Sequence, residues 1–115
     1  MPDLESVLLA IAASPRRILL QRLAQGPATT GQLAELLPMS RPAVSQHIKV
    51  LQDADLIRTT VIGRHRWHEL RPGPLRQIAG WAAEVADRAG NAPELRPSGE
   101  VHDEPPRQLR RDQQP

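Results

Sequence analysis

No cysteine occurs anywhere in the 115 residues. That absence excludes disulfides, thiolate zinc sites, thiol redox switching and cysteine nucleophiles together. Aromatics are almost as scarce: Phe and Tyr are missing, and the two Trp are Trp67 and Trp81. A core must therefore be built from Leu, Ile, Val and Ala, a composition that favours helices. No window approaches the roughly 18–20 apolar residues that span a bilayer, and no charged segment followed by a long apolar run opens the chain. The expectation is a soluble, cytoplasmic protein with no membrane partner. Also lacking are a Gly-rich phosphate loop, a metal-ligand spacing of the H-E-x-x-H kind, and a nucleophile beside a plausible base, so the chain does not read as an enzyme. Its length admits one domain with a modest core and not two.

What is present begins with an uneven distribution of charge. Residues 1–90 hold 11 Lys/Arg against 8 Asp/Glu, while residues 91–115 hold 4 against 5, so the net +2 conceals a basic body and a slightly acidic tail. Leu4, Val7, Leu8 and Ile11 recur at helical spacing and predict a first helix ending near Ala13. Ser14-Pro15 predicts a capped second helix, from Pro15 to about Gln25, that stops at Gly26-Pro27. Thr29-x-x-Gln32 has the form of a capping box and predicts a short third helix to about Leu37. After the Pro38-Met39 break, Ser40 caps a fourth helix from Arg41 to about Ala54. The β-branched run Ile57–Ile62, the Gly63-Arg64 turn and the stretch His65–Leu70 predict a hairpin. A last helix carries Leu75, Ile78, Ala82, Val85 and Ala89, and Gly90 is expected to close it. Residues 91–115 contain five of the twelve prolines and are read as a disordered, Pro-rich tail after a single domain over 1–90.

On the fourth helix Val44, Ile48 and Leu51 form the stripe expected to be buried, and Gln46 and Lys49 point away from it, with Arg41 at the N-terminus and Ser45 on the flank. From Leu36 to Gln52 there is no acidic residue. Such a helix can enter a major groove, where Arg and Gln read base edges and Lys and Ser hold phosphates. The hairpin adds Arg58, Arg64, Arg66 and Arg71, cations that can lie along the backbone or probe the minor groove. The DNA-binding set read from this pattern is Ser40, Arg41, Ser45, Gln46, Lys49, Arg58, Arg64 and Arg66.

Taken together, Ser14-Pro15-Arg16-Arg17-Ile18-Leu19, Gln32–Leu37, the string from Ser40 to Leu51 (S-R-P-A-V-S-Q-H-I-K-V-L) and Gly63-Arg64-His65-Arg66 closely resemble the ArsR/SmtB family of winged-helix repressors, over about residues 4–89. The resemblance implies a mainly α fold with a β-hairpin wing, a dimer built by the first and last helices, an inverted-repeat double-stranded DNA operator, and release of DNA when an inducer binds. Apolar patterning points to the same homodimer, because the first and last helices cannot both be buried against so small a trihelical core. The expected interface is Leu4, Val7, Leu8, Ile11, Leu75, Ile78, Ala82 and Val85, with Trp81 sealing the seam.

Metal sensing by relatives uses a Cys-x-Cys pair on the third helix or Asp and His pairs on the last. Here the third-helix region reads Thr29-Thr30-Gly31-Gln32 and residues 74–90 contain no histidine, so neither site carries over. What remains is His102-Asp103-Glu104 folding back onto Glu84, Asp87 or a partner subunit, a donor set suited to nickel, or else cobalt or zinc. His65 and His68 point to opposite faces of a strand, and His47 is expected to satisfy a local backbone group. The alternatives are a metal-independent regulator of the same fold, and a winged helix that docks proteins, with the tail as ligand for a second partner.

Overall fold

The computed structural model describes residues 3–95. The Asp3 carboxylate accepts the Ser6 N–H at 2.8 Å and caps α1 (Leu4–Ile11). α2 (Ser14–Leu23) begins without a side-chain cap: Ser14, expected in that role, is itself the first helical residue, and Ala13 stands at the cap position. The start signal comes from Pro15 instead, whose missing N–H falls among the orphan amides of the first turn.

A strand of two residues, β1 (Ala28–Thr29), then runs into α3 (Thr30–Ala34). Thr29 caps α3 reciprocally: its hydroxyl accepts from Gln32 N–H at 3.1 Å, and its own N–H donates to Gln32 Oε1 at 2.9 Å. α3 ends at Ala34, short of the expected Leu37. Ser40 Oγ accepts from Ala43 N–H at 3.3 Å to open α4 (Arg41–Asp53). α3, the turn and α4 make the helix-turn-helix.

The exit from α4 fixes where the wing begins. Asp55 takes a left-handed φ of +62°, its N–H donates to the Gln52 carbonyl at 2.9 Å, and Leu56 N–H donates to the Leu51 carbonyl at 2.9 Å. These are the two bonds of a Schellman motif, and the fully buried Leu56 supplies its hydrophobic contact. The chain turns straight into β2 (Ile57–Ile62), which pairs antiparallel with β3 (His65–Leu70), with the bounds read from the sequence. Gly63, at φ +62°, takes the first central position of the two-residue turn, where a side chain would be strained. β1 adds to the other edge of β3, giving the order β1-β3-β2. Sequence reasoning missed β1 because two residues carry no alternation.

α5 (Gly73–Asn91) runs through Gly90, which was expected to end it; left-handed φ values among the described glycines occur at Gly26 and Gly63. The chain divides into two units inside α5, after Glu84. The core of the first is aliphatic, from Val7 and Ala10 through Leu19, Leu33, Val44, Ile48 and Leu51 to Leu56 and Ile57. Val7, expected at a dimer interface, is 0% exposed and belongs to this core, whereas Leu9, which the pattern left out, is 62% exposed. Leu75 and Ile78 pack part-buried against the same core.

The left-handed Asp55 gives a stability prediction. A β-branched side chain there should be strained, so Asp55→Val should lose about 1–2 kcal/mol in urea denaturation while Asp55→Gly loses nothing or gains. Equal losses in the two variants would show that the Asp55 side chain, through its 3.8 Å ion pair with Arg71, sets the turn instead.

Candidate nucleic-acid interface

α4 buries Val44, Ile48 and Leu51 and leaves Arg41, Ser45, Gln46 and Lys49 exposed, as its 3.6-residue period requires. The wing then folds back beside its N-terminal half. A cleft of about 400 Å³ is lined by Thr29, Thr30 and Gly31 at the start of α3, Arg41 and Ser45 of α4, and Arg64, His65 and Arg66 of the wing. Next to it a smaller depression of about 170 Å³ brings Ser45, Lys49 and Gln52 to Arg66 and Thr30. Four cations, Arg41, Lys49, Arg64 and Arg66, and several hydroxyls thus line one concave surface that has no carboxylate in its lining.

Pairing separates the cations into two groups. Arg41, Arg64 and Arg66 make no ion pair among the described residues. Lys49 holds Asp53 with Nζ–Oδ distances of 3.0 and 3.2 Å, but both groups are exposed, and an i,i+4 pair of this kind contributes only about 0.3–0.5 kcal/mol, so a phosphate can displace it. Arg58 is different. The register puts it opposite Glu69, on the sheet face shared with Thr60 and Trp67, and it donates to Glu69 Oε1 from Nη2 at 3.1 Å and Nε at 3.3 Å. The structure therefore does not bring Arg58 to the cleft: strand alternation turns it to the other face. Arg71 likewise pairs with Asp55 at the hairpin base.

Behind the cleft lies a polar chain that the sequence did not announce. His68, 1% exposed, sits on the face of β3 turned toward the core, and both ring nitrogens are engaged. Nε2 lies 2.8 Å from Thr30 Oγ1 and Nδ1 lies 2.8 Å from Thr59 Oγ1, while Gln52 Nε2 donates to that Thr59 hydroxyl at 2.6 Å. Burial, and secondarily the charge of Arg66, push the His68 pKa below its ordinary value. The opposite facing of His65 and His68 expected from the strand period holds, since His65 is exposed. The parity His68 shares with Leu70 could have marked it as the inward one.

The remaining site residues divide as follows. His47 bonds not to backbone but to the Arg16 side chain, at 3.1 Å from Nη1. Asp87 is exposed on α5, and His102, Asp103 and Glu104 lie outside the described residues. Among the described residues no three His, Asp or Glu side chains gather as a metal would need. Of the interface set, Leu4, Leu8 and Ile11 are half-buried, while Trp81 (47%), Ala82 and Val85 (50%) are exposed on α5.

Comparison with known proteins bears on this geometry. A family profile described as "Bacterial regulatory protein, arsR family" matches residues 14–59, from α2 into β2. The chain is 49% identical over 63 residues to the HTH-type transcriptional regulator Rv2034 of Mycobacterium tuberculosis, a match spanning 55% of this chain and 59% of that protein. It is 27% identical over 88 residues to the transcriptional repressor SdpR of Bacillus subtilis, covering 76% of this chain and 98% of the repressor. Among solved structures, the ArsR family transcriptional regulator RHA00566 superposes with a TM-score of 0.72 at 34% identity, covering 76% of this chain and 96% of that one.

The His68 chain predicts a pH dependence. Because the folded-state pKa lies below the unfolded value of about 6.5, the unfolded chain binds the proton more tightly, and stability falls as pH drops through that value toward the folded pKa. Denaturation midpoints at pH 7.5 and 5.5 should differ more in the wild-type protein than in His68→Gln. That variant should itself lose about 1–3 kcal/mol at pH 7.5, from hydroxyls left unsatisfied. Parallel pH profiles would remove His68 as the titrating group.

Proposed function

The chain belongs to the arsR family of bacterial regulatory proteins, which are DNA-binding transcriptional regulators, and we propose that it acts as a homodimeric repressor on an inverted-repeat operator. The reading rests chiefly on one observation: Arg41, Ser45, Arg64 and Arg66, from two separate elements, converge on one cleft whose lining carries no acidic group. A duplex is a surface of regularly spaced phosphates, and cations held without carboxylate partners retain their full attraction for it.

In this arrangement α4 enters the major groove. Gln46, opposite the buried stripe, and Arg41 at the helix start read base edges, because both present paired hydrogen-bonding groups that match the edges of adenine and guanine. Ser40, Ser45 and Lys49 hold phosphates: the Ser40 oxygen already accepts Ala43 N–H, and its own proton remains to donate. Arg64 and Arg66 contact backbone from the wing. The dimer places two such helices about one helical turn or more apart. Exposed Leu9 on α1 and exposed Trp81 and Val85 on α5 support association through these helices, since large apolar groups left in water favour burial against a second copy.

Anisotropy titrations on duplexes from the protein's own promoter test the proposal. Gln46→Ala should cost about 1–3 kcal/mol on the operator and relax specificity, while Arg64→Ala should weaken all sequences alike and lower the salt slope by about one. Unchanged operator affinity in Gln46→Ala would refute the recognition-helix assignment. Light scattering should give twice the chain mass, and Trp81→Glu should give a folded monomer. A wild-type monomer that binds one half-site tightly would overturn the dimer, and retained binding to a protein partner without any to DNA would favour a docking module.

A further inference from the structure

Arg16 stands on α2, outside the cleft, yet its guanidinium joins α1 to the recognition helix. Nε donates to the Ala10 carbonyl at 2.6 Å and Nη2 to the Leu9 carbonyl at 3.1 Å, both in the last turn of α1. Nη1 donates to His47 Nδ1 on α4 at 3.1 Å. A guanidinium has only donors, so His47 must accept at Nδ1, and its ring proton sits on Nε2. Arg17 also reaches the end of α1, with Nη1 donating to the Ile11 carbonyl at 2.8 Å, but the hydrogen bond to α4 comes from Arg16.

The place of His47 on α4 gives this link its meaning. At about 100° per residue, His47 lies about 60° to one side of Val44 in the buried stripe, and Gln52 lies about 80° to the other side. Gln52 is tied to Thr59 of β2, and His47 to Arg16 of α2. A hydrogen bond on each flank opposes rolling of α4 about its own axis, which the apolar stripe between them resists less sharply. Rolling is the motion that would carry Gln46 and Arg41 away from base edges.

We infer that Arg16 is a positioning residue for DNA binding: it fixes the azimuth of the recognition helix relative to α1 and so sets the geometry in which two half-sites are read at once. The inference rests on the dimeric operator reading above. A merely structural arginine would weaken every DNA complex equally. One that sets helix orientation against the dimer helix penalises the complex that must satisfy two half-sites together.

The test uses the full chain and two duplexes, one with both half-sites and one with a half-site scrambled. Arg16→Gln should lose about tenfold more affinity for the complete operator than for the scrambled one, the size of a typical coupling between sites. His47→Leu should reproduce that difference, the double variant should be no worse than either single one, and His47→Gln, whose amide oxygen can accept the same bond, should restore binding. In ¹⁵N spectra the wild-type His47 ring should show an unprotonated Nδ1, a signature that Arg16→Gln disturbs. Equal losses on the two duplexes, or additive single losses, overturn the inference while leaving the operator reading intact. A wild-type protein that binds neither duplex, or is monomeric, overturns both. Circular dichroism melts identify any variant that fails to fold, and His47→Leu then carries the comparison.

Discussion

A buried imidazole with both nitrogens engaged is the constraint on which the DNA-facing half of this chain depends. His68 reaches the start of α3 through Thr30, the first wing strand β2 through Thr59, and α4 through the Thr59–Gln52 bond. Each of these groups lies at least partly out of water, and leaving one unsatisfied costs about 1–3 kcal/mol, a sizeable share of the stability of a small domain. The helix-turn-helix and the wing therefore cannot shift relative to each other without breaking this chain. Apolar packing, the Schellman turn from α4 into β2 and the short β1–β3 ladder, in which Ala28 lies opposite His68 itself, tie them as well.

The cations show how a modest positive charge is put to separate uses. Arg16, Arg17 and Arg22 donate to backbone carbonyls around the ends of α1 and α2. Arg58 and Arg71 are paired with carboxylates at the hairpin base. Arg41, Arg64 and Arg66 keep their charge for the cleft. Net charge alone says little about partners, because five of these eight arginines are spent on folding. What matters is that the unpaired ones come together.

Where the signal was local, the sequence was readable. The capping box at Thr29-Gln32, the Ser40 cap, the hairpin bounds around Gly63-Arg64 and the α4 stripe each follow from bonding between residues a few positions apart. What escaped was non-local. β1 is too short for a period, Val7 is buried because it joins a core assembled from several elements, and Arg58 faces Glu69 because alternation turns it from the cleft. The partners of His47 and His68 lie 31 and 38 residues away at their farthest, beyond the reach of any spacing rule. Ser14 and Gly90 failed for another reason: each carried a true propensity that its neighbours overrode, Pro15 at one end and a continuing helix at the other.

The scarcity of aromatics has a structural consequence. A core of Leu, Ile, Val and Ala supplies stability in proportion to buried area, but side chains of similar size and shape discriminate poorly between slightly rotated packings. The stripe of Val44, Ile48 and Leu51 holds α4 against the domain without sharply fixing its roll. Reading bases demands that roll be fixed, since the donor and acceptor pattern of a base edge is matched only in one orientation. The chain meets the demand with directional bonds at the edges of the stripe: Arg16 to His47 on one flank, Gln52 to Thr59 on the other, the Ser40 cap at one end and the Schellman turn at the other. In this molecule apolar burial decides that α4 is held, and a handful of polar contacts decides which way it faces.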